Sequence, residues 1–343
     1  MKAVRFHTHG GPEVLQYEDA PAPVVRPGQV LVRVAACALN RLDLWQRGGL
    51  DRVTLPLPHI SGADVAGTIV EVGEGVAGVG PGQRVMLQPG LSCGQCSACL
   101  ADRDHLCDRY DVLGFQSEGG YAEMLVVPAA NVIPIPDSLG FVSAAGFPLT
   151  FLTAWHMLFA GGRLMSGDAV LVVAAGSGVG QAAIQIAKTA GARVIATARG
   201  EDKCARAVDL GADYVIDSTR EDVPRRVKAV TEGRGVNVVI EHVGAATWNQ
   251  SVRSLARGGR LVTCGATTGF EVSLDLRHLF TRQLTFVGSY MGSKAELLAA
   301  SEGFFQGRYS PVIDSTYPLR EAAEAQRRLE AGNQFGKIVL VVD

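Results

Sequence analysis

Four cysteines carry the sharpest chemistry in the chain: Cys93, Cys96, Cys99 and Cys107. Thiolates at this spacing can fold a short loop around one tetrahedral zinc. Four protein ligands leave no open position for water, so such a site is structural rather than catalytic. Reduced thiols that bind nothing, or an iron–sulfur centre, are the alternatives. Asp102, Arg103 and Asp104 suit an exposed loop. Cys37, Cys204 and Cys264 sit in apolar strand or helix patterns and read as buried inert thiols. The second chemical stretch is the turn Gly176-Ser177-Gly178-Val179-Gly180. An apolar run, residues 170–174, precedes it. Residues 181–190 follow, with Ala182, Ala183, Ile186 and Ala187 at the spacing of one helix face and Gly191 placed to end the helix. Strand, glycine turn and helix are the context in which backbone N–H groups receive a pyrophosphate. An ordinary tight turn in another parallel α/β protein is the plain alternative.

Those residues need elements to position them. The chain has 343 residues, 47% hydrophobic and 19% charged, with a net charge of -2. This suits a soluble globular protein of two domains. No basic stripe suggests nucleic acid. MKAVRFHTHG lacks the apolar core of a signal peptide, and seven cysteines are an odd count for a secreted disulfide framework. The apolar window 169–191 is too rich in Gly, Ser and Gln to be a membrane span. A soluble cytoplasmic protein without nucleic-acid or membrane partners is the expectation. Strands are predicted over 30–36, 65–72 and 84–87 in a region punctuated by Gly and Pro, typical of a small β-barrel or sandwich. Residues 143–159 are expected to be partly helical. From 170 onward strands at 170–174, 193–197, 214–216, 236–240, 260–264 and 284–287 alternate with helices at 202–210, 221–231 and 247–256, a complete doubly wound nucleotide domain. Helices over 294–306 and 320–331 and a strand over 337–342 close the chain.

Taken together, these features resemble the medium-chain dehydrogenase/reductase superfamily, which contains the zinc alcohol dehydrogenases and the zinc-free quinone oxidoreductases. The resemblance rests on Gly62-Ala63-Asp64-Val65-Ala66-Gly67, the cysteine lobe, Pro148-Leu149-Thr150-Phe151-Leu152-Thr153-Ala154-Trp155, Gly258-Gly259-Arg260-Leu261-Val262 and Gly336-Lys337-Ile338-Val339-Leu340, and covers essentially the whole chain. It implies an α/β fold: a GroES-like β-rich catalytic domain, residues 1–151 and 290–343, and a Rossmann domain, residues 152–289. It also shows a departure. Zinc alcohol dehydrogenases hold a catalytic zinc with a Cys, a His and a further Cys; here Asn40, Ala63 and Leu149 occupy those places. The resemblance therefore implies one structural zinc and no catalytic zinc. A re-formed site of Cys37, His59 and Asp64 is the rival. Asn40 with Asp43 is similar to the quinone oxidoreductase branch, which usually lacks the lobe.

Cofactor choice is set at the end of the second nucleotide-domain strand, where an acid would bond the ribose hydroxyls of NAD. Here the chain reads Ala198-Arg199-Gly200, and Arg199 and Lys203 stand where a 2′-phosphate would sit. NADP(H) is favoured over NAD(H), unless Glu201 or Asp202 turns inward. By resemblance the cofactor also meets Thr153, Gly176, Ser177, Gly178, Val179, Val243, Gly265, Ala266 and Thr267, and Lys337 touches its pyrophosphate. His242 is read as a structural hydrogen-bond partner. Without a catalytic zinc, Asn40 is the expected donor to the substrate oxygen, with Asp43 and Asp64 orienting it or relaying a proton. The reading is a hydride-transferring oxidoreductase acting on a small carbonyl, quinone or enone. A zinc alcohol dehydrogenase with displaced ligands and a non-catalytic nucleotide-binding relative are the rivals. Residues 45–58 and 277–282 are expected to shape the pocket. The edge strand at 284–287 suggests a homodimer, with a tetramer as the alternative.

Overall fold

The computed structural model describes residues 1–50 and 53–342. It divides into two compact units. The first comprises Met1–Leu149, Ser293–Ala295 and the chain from Ser310 onward. Among the described residues its centre is a seven-stranded sheet. Gln29–Ala38 lies in the middle, antiparallel to Asp64–Val72 on one side and to Lys337–Val341 on the other. Arg84–Leu87, Val132–Pro134, Met124–Pro128 and Ile313–Pro318 complete it. Val30, Val32 and Val34 alternate inward, as a strand with one covered face requires, and from Ala36 both faces are buried. The C-terminal segment thus returns to the first unit.

The second unit comprises Thr150–Gly292 and Glu296–Tyr309. Its six parallel strands have the order Tyr214–Asp217, Arg193–Ala198, Ala169–Val172, Val236–Glu241, Leu255–Thr263, Thr285–Gly288. This is the doubly wound order of a Rossmann sheet. The chain is therefore an α/β protein.

Several expectations need correction. Residues 294–306 were assigned to the catalytic domain, but most of the helix Lys294–Phe305 packs into the second unit. Leu297, Ala300 and Phe304 are buried there, His156 Nδ1 and Glu296 are 2.8 Å apart, and the Tyr309 ring stacks on Phe151. The expected helical stretch 143–159 is broken. Phe141–Gly146 ends before Pro148, whose ring cannot continue a helix. Pro148–Trp155 follows, and His156–Gly161 winds as a wider π-turn. Residues 45–48 of the expected pocket loop belong to the helix Arg41–Gly48. Residues 51 and 52 of that loop lie outside the described residues. Residues 276–282 form a helix, Leu276–Arg282, capped by Asp275. Cys204 and Cys264 are half-exposed rather than buried, and of the three only Cys37 is buried. No helix among the described residues is long and apolar enough to cross a membrane.

Gly336 fixes how the last strand begins. Its φ is +99°, and a Cβ there would stand 2.2 Å from the Val312 carbonyl oxygen. Gly82 shares the conformation, φ +86°, with nothing within 4 Å. Gly82→Ala is expected to cost about 1 kcal/mol from backbone strain alone. Gly336→Ala adds the steric clash and should cost on the order of 3 kcal/mol. Urea denaturation of the two variants checks the difference, and equal losses would remove the close approach as the reason for Gly336.

Candidate active site

Three neighbouring strands bring the candidate catalytic residues to one end of the first sheet. Ala38 pairs with Asp64 on one side and with Val339 on the other, and the Leu39 N–H donates to Ile338 O. That register sets Asn40, Asp64 and Lys337 side by side. Asn40 Nδ2 donates to Asp64 Oδ2 at 3.0 Å. Lys337 Nζ donates to Asn40 Oδ1 at 2.7 Å and to Asp64 Oδ2 at 2.8 Å. The Leu149 N–H donates to Asp64 Oδ1 at 2.7 Å. All three side chains are buried: Asn40 is 7% exposed, Lys337 2% and Asp64 0%. Lys337 is thus no surface lysine. Its ammonium is the cation of the Asn40–Asp64 cluster, a placement the sequence did not suggest.

Asp43 adjoins the cluster. Its Oδ2 accepts the Asn40 backbone N–H at 2.7 Å and the Tyr121 hydroxyl at 3.0 Å, and its Oδ1 is buried without a partner among the described residues. Burial pushes this carboxyl up to about 6, against the opposing pull of its two hydrogen bonds and the Lys337 charge. Tyr121, fully buried, was missed. Its one signal is a tyrosine after Gly119-Gly120, where only small residues fit against Ser61, Gly62 and Val65.

The rival ligand set does not assemble. His59 is buried with Nε2 3.1 Å from Gly114 O, and its ring meets Phe6 edge-on. Burial pushes the Cys37 thiol up. Among the described residues the one His/Cys/Asp/Glu group with metal-binding geometry is the lobe.

There the four sulfurs lie within 4.8 Å of one another, with Cys93–Cys99 at 3.8 Å and Cys96–Cys99 at 3.5 Å. A tetrahedron with zinc–sulfur bonds of about 2.3 Å has edges of about 3.8 Å, so the cluster fits zinc. The Gln95 and Cys96 N–H groups point at Cys93 Sγ and draw that thiol down to about 6. The Arg109 N–H donates to Cys107 Sγ. These donors favour thiolates. Cys93, Cys96, Cys99 and Cys107 would hold the ion and leave it no open position.

In the second unit, Ala169–Val172 runs into the glycine turn and the helix Gly178–Thr189. Ser177 is the N-cap, accepting the Gly180 N–H at 2.8 Å. A Cβ on Gly180 would stand 2.3 Å from Ala174 O, so only glycine lets helix and strand pack this closely. The N–H groups of Gly176, Gly178 and Val179 have no acceptor among the described residues. An anion such as a pyrophosphate fits them. His242 Nε2 lies 2.8 Å from Ser177 Oγ. Burial holds its imidazole below the usual value, so the neutral ring accepts from the hydroxyl. Glu241 was missed. It is fully buried and accepts from the N–H groups of Val243 and Gly244 and the hydroxyls of Thr247 and Ser251, shaping the turn after its strand. Its signal was an acid closing a buried parallel strand. Gly265, Ala266 and Thr267 follow the next strand, and Thr267 Oγ1 donates to His242 O. Thr153 is buried in its helix. Arg199 is exposed and makes no hydrogen bond or ion pair among the described residues. Lys203 is half-buried on the following helix. Glu201 pairs with Arg220 at 2.5 Å.

Residues 26–137 match the alcohol dehydrogenase GroES-like domain, and residues 178–305 match the zinc-binding dehydrogenase family. An NAD-dependent alcohol dehydrogenase of Sulfolobus acidocaldarius is 33% identical, with 100% of both chains covered. The chain belongs to the medium-chain dehydrogenase/reductase superfamily. A quinone oxidoreductase of Rattus norvegicus is 30% identical over 100% of this chain and 98% of its own. The crystal structure of an NAD-dependent alcohol dehydrogenase superposes with a TM-score of 0.97 at 48% identity, covering 100% of both chains. The protein is thus an NAD(P)-dependent oxidoreductase of this superfamily, with a GroES-like domain and a Rossmann domain.

Asp43 carries a pH signature. It faces the Asn40 N–H, Tyr121, Lys337 and Asp64, and Cys37 lies nearby. Its folded value, about 6, stands above the 3.8 of a free aspartate. Between those values the folded chain holds a proton that the unfolded chain has released, so this group's contribution to stability falls as pH rises through the window. The effect is on the order of 3 kcal/mol. Urea denaturation at pH 4.5 and 7.5 should show Asp43→Asn gaining on the native protein at the higher pH. A constant difference at both pH values removes Asp43 as the source.

Proposed function

We propose that the enzyme transfers hydride between NADP(H) and a small carbonyl, quinone or enone substrate, with zinc only in the cysteine lobe. The observation that carries this reading is the cation at the site. Asn40, Ala63 and Leu149 stand where zinc alcohol dehydrogenases have their ligands, and Lys337 supplies the positive charge that Asp64 requires. The nicotinamide supplies the hydride when bound. The chain binds, orients and excludes water. Asn40, its carbonyl oxygen held by Lys337, has a second Nδ2 hydrogen for the substrate oxygen that gains negative charge. An ionised Asp64 cannot donate, so it orients. Asp43, poised near 6, is a nearby proton store.

Arg199 supports the phosphorylated cofactor: it is unpaired among the described residues, while Glu201, one of the two acids that could turn inward, is engaged by Arg220. Two relatives named as NAD-dependent favour NAD(H) instead. Steady-state kinetics with both cofactors should give the lower KM for NADPH, and Arg199→Ala should erase the difference. A clear NADH preference in the native protein ends the NADP(H) reading.

A homodimer in the cytoplasm completes the proposal. Thr285–Gly288 lies at the sheet edge, with Phe270, Leu276 and Phe280 exposed on the same unit, and a second copy would cover them; a tetramer is the alternative. Elemental analysis should find one zinc per chain, and a screen of quinones, enones and aldehydes with NADPH should find turnover that survives chelators too weak to strip the lobe. Two zincs per chain would favour displaced catalytic ligands. One zinc and no turnover would favour a binding protein without catalysis.

A further inference from the structure

The amide of Asn40 can lie only one way round. Lys337 has donors and no acceptor, so the atom it meets at 2.7 Å must be Oδ1. Ionised Asp64 has acceptors and no donor, so the atom 3.0 Å from its Oδ2 must be Nδ2. The Leu149 N–H holds the other oxygen of Asp64, so the carboxylate cannot swing. Each partner thus fixes the next. One hydrogen of Nδ2 is committed to Asp64, and the second has no acceptor among the described residues. The ammonium at Oδ1 draws electron density toward that oxygen and strengthens Nδ2 as a donor. A buried ion pair is a poor device for stability, since apolar residues of similar volume often serve as well or better. Its use here calls for another purpose.

We propose that Lys337 and Asp64 are positioning residues that lock and polarise the Asn40 amide, so that its free Nδ2 hydrogen is presented to the oxygen of a bound carbonyl substrate. This rests on the reading of Asn40 as the substrate donor. The contribution is a hydrogen bond, and no proton leaves the amide. Lys337 then acts on the substrate through Asn40, with its ammonium held between Asn40 Oδ1 and Asp64 Oδ2.

Lys337→Met alone leaves a buried carboxylate unpaired and risks misfolding. The informative variant is therefore Lys337→Met with Asp64→Asn, which removes both charges and leaves an amide oxygen for Asn40 and Leu149. Two quantities are measured: kcat at saturating substrate, and the Kd of NADPH for the protein without substrate, by nicotinamide fluorescence. The expected result is a loss of kcat of tenfold or more, with the Kd unchanged within twofold. Adding Asn40→Ala to the double variant should then cost less than threefold further, because the clamp and its amide act as one unit. A tenfold rise in Kd at unchanged kcat would assign Lys337 to the pyrophosphate and overturn the proposal. So would a full tenfold further loss on adding Asn40→Ala. Asn40→Ala in the native background separates the two readings. An unchanged kcat there removes Asn40 as the donor, whereas a loss there combined with an active double variant removes only the clamp.

Discussion

A fully buried carboxylate must be answered by donors, and Asp64 is answered by three: the Leu149 N–H, the Asn40 amide and the Lys337 ammonium. Much of the first unit follows from that requirement. The donors come from a helix start, a loop after the central strand and the last strand of the chain. They meet only if Lys337–Val341 returns to lie against Gln29–Ala38, and only in the register that pairs Val339 with Ala38. A shift of one residue would turn Lys337 to the opposite face. Gly336 protects that register, because its left-handed conformation and contact with Val312 set where the strand begins.

The same cluster explains why Asp43 is pushed upward. Lys337 brings one positive charge to a buried region that holds two carboxylates. Asp64 takes the ammonium directly, while Asp43 is left with a backbone N–H, a tyrosine hydroxyl and one oxygen without a partner among the described residues. Desolvation then outweighs its hydrogen bonds.

Features set by short-range spacing were legible in the sequence. The lobe cysteines lie within fifteen residues and the nucleotide turn within five, so spacing alone specifies their chemistry. The buried parallel strands announced themselves as apolar runs, and most of their ends shift by one or two residues, but Leu255–Thr263 begins five residues before the expected 260 and takes the end of the expected helix 247–256. What depends on register between distant segments was not legible. Asn40, Asp64 and Lys337 each drew attention separately, yet no local pattern says that a lysine 297 residues after Asn40 meets its side chain. The expectation of a pyrophosphate contact for Lys337 therefore held no hint of its bonds to Asn40 and Asp64. Helix Lys294–Phe305 looked like part of the C-terminal return because sequence order suggested it, whereas burial of Leu297, Ala300 and Phe304 decided otherwise. Val132–Pro134 was overlooked because it is short and ends in proline, which an edge strand tolerates.

The type of donor also limits the chemistry on the proposed reading. A zinc ion both polarises a carbonyl and makes a bound hydroxyl far more acidic, which serves reduction and alcohol oxidation alike. An amide hydrogen polarised by Lys337 does only the first. It can stabilise charge growing on an oxygen, but it cannot accept the proton an alcohol must lose. In the oxidative direction that task falls to a base; Asp64 is already committed to two hydrogen bonds and an ion pair, and Asp43, the nearby proton store, is buried and held by the Asn40 N–H and the Tyr121 hydroxyl. The site is therefore better matched to the reduction of a ready-made acceptor, a carbonyl or an activated double bond, than to the oxidation of an unactivated alcohol. The lobe does not alter this balance, since four thiolates around one ion leave no position for substrate.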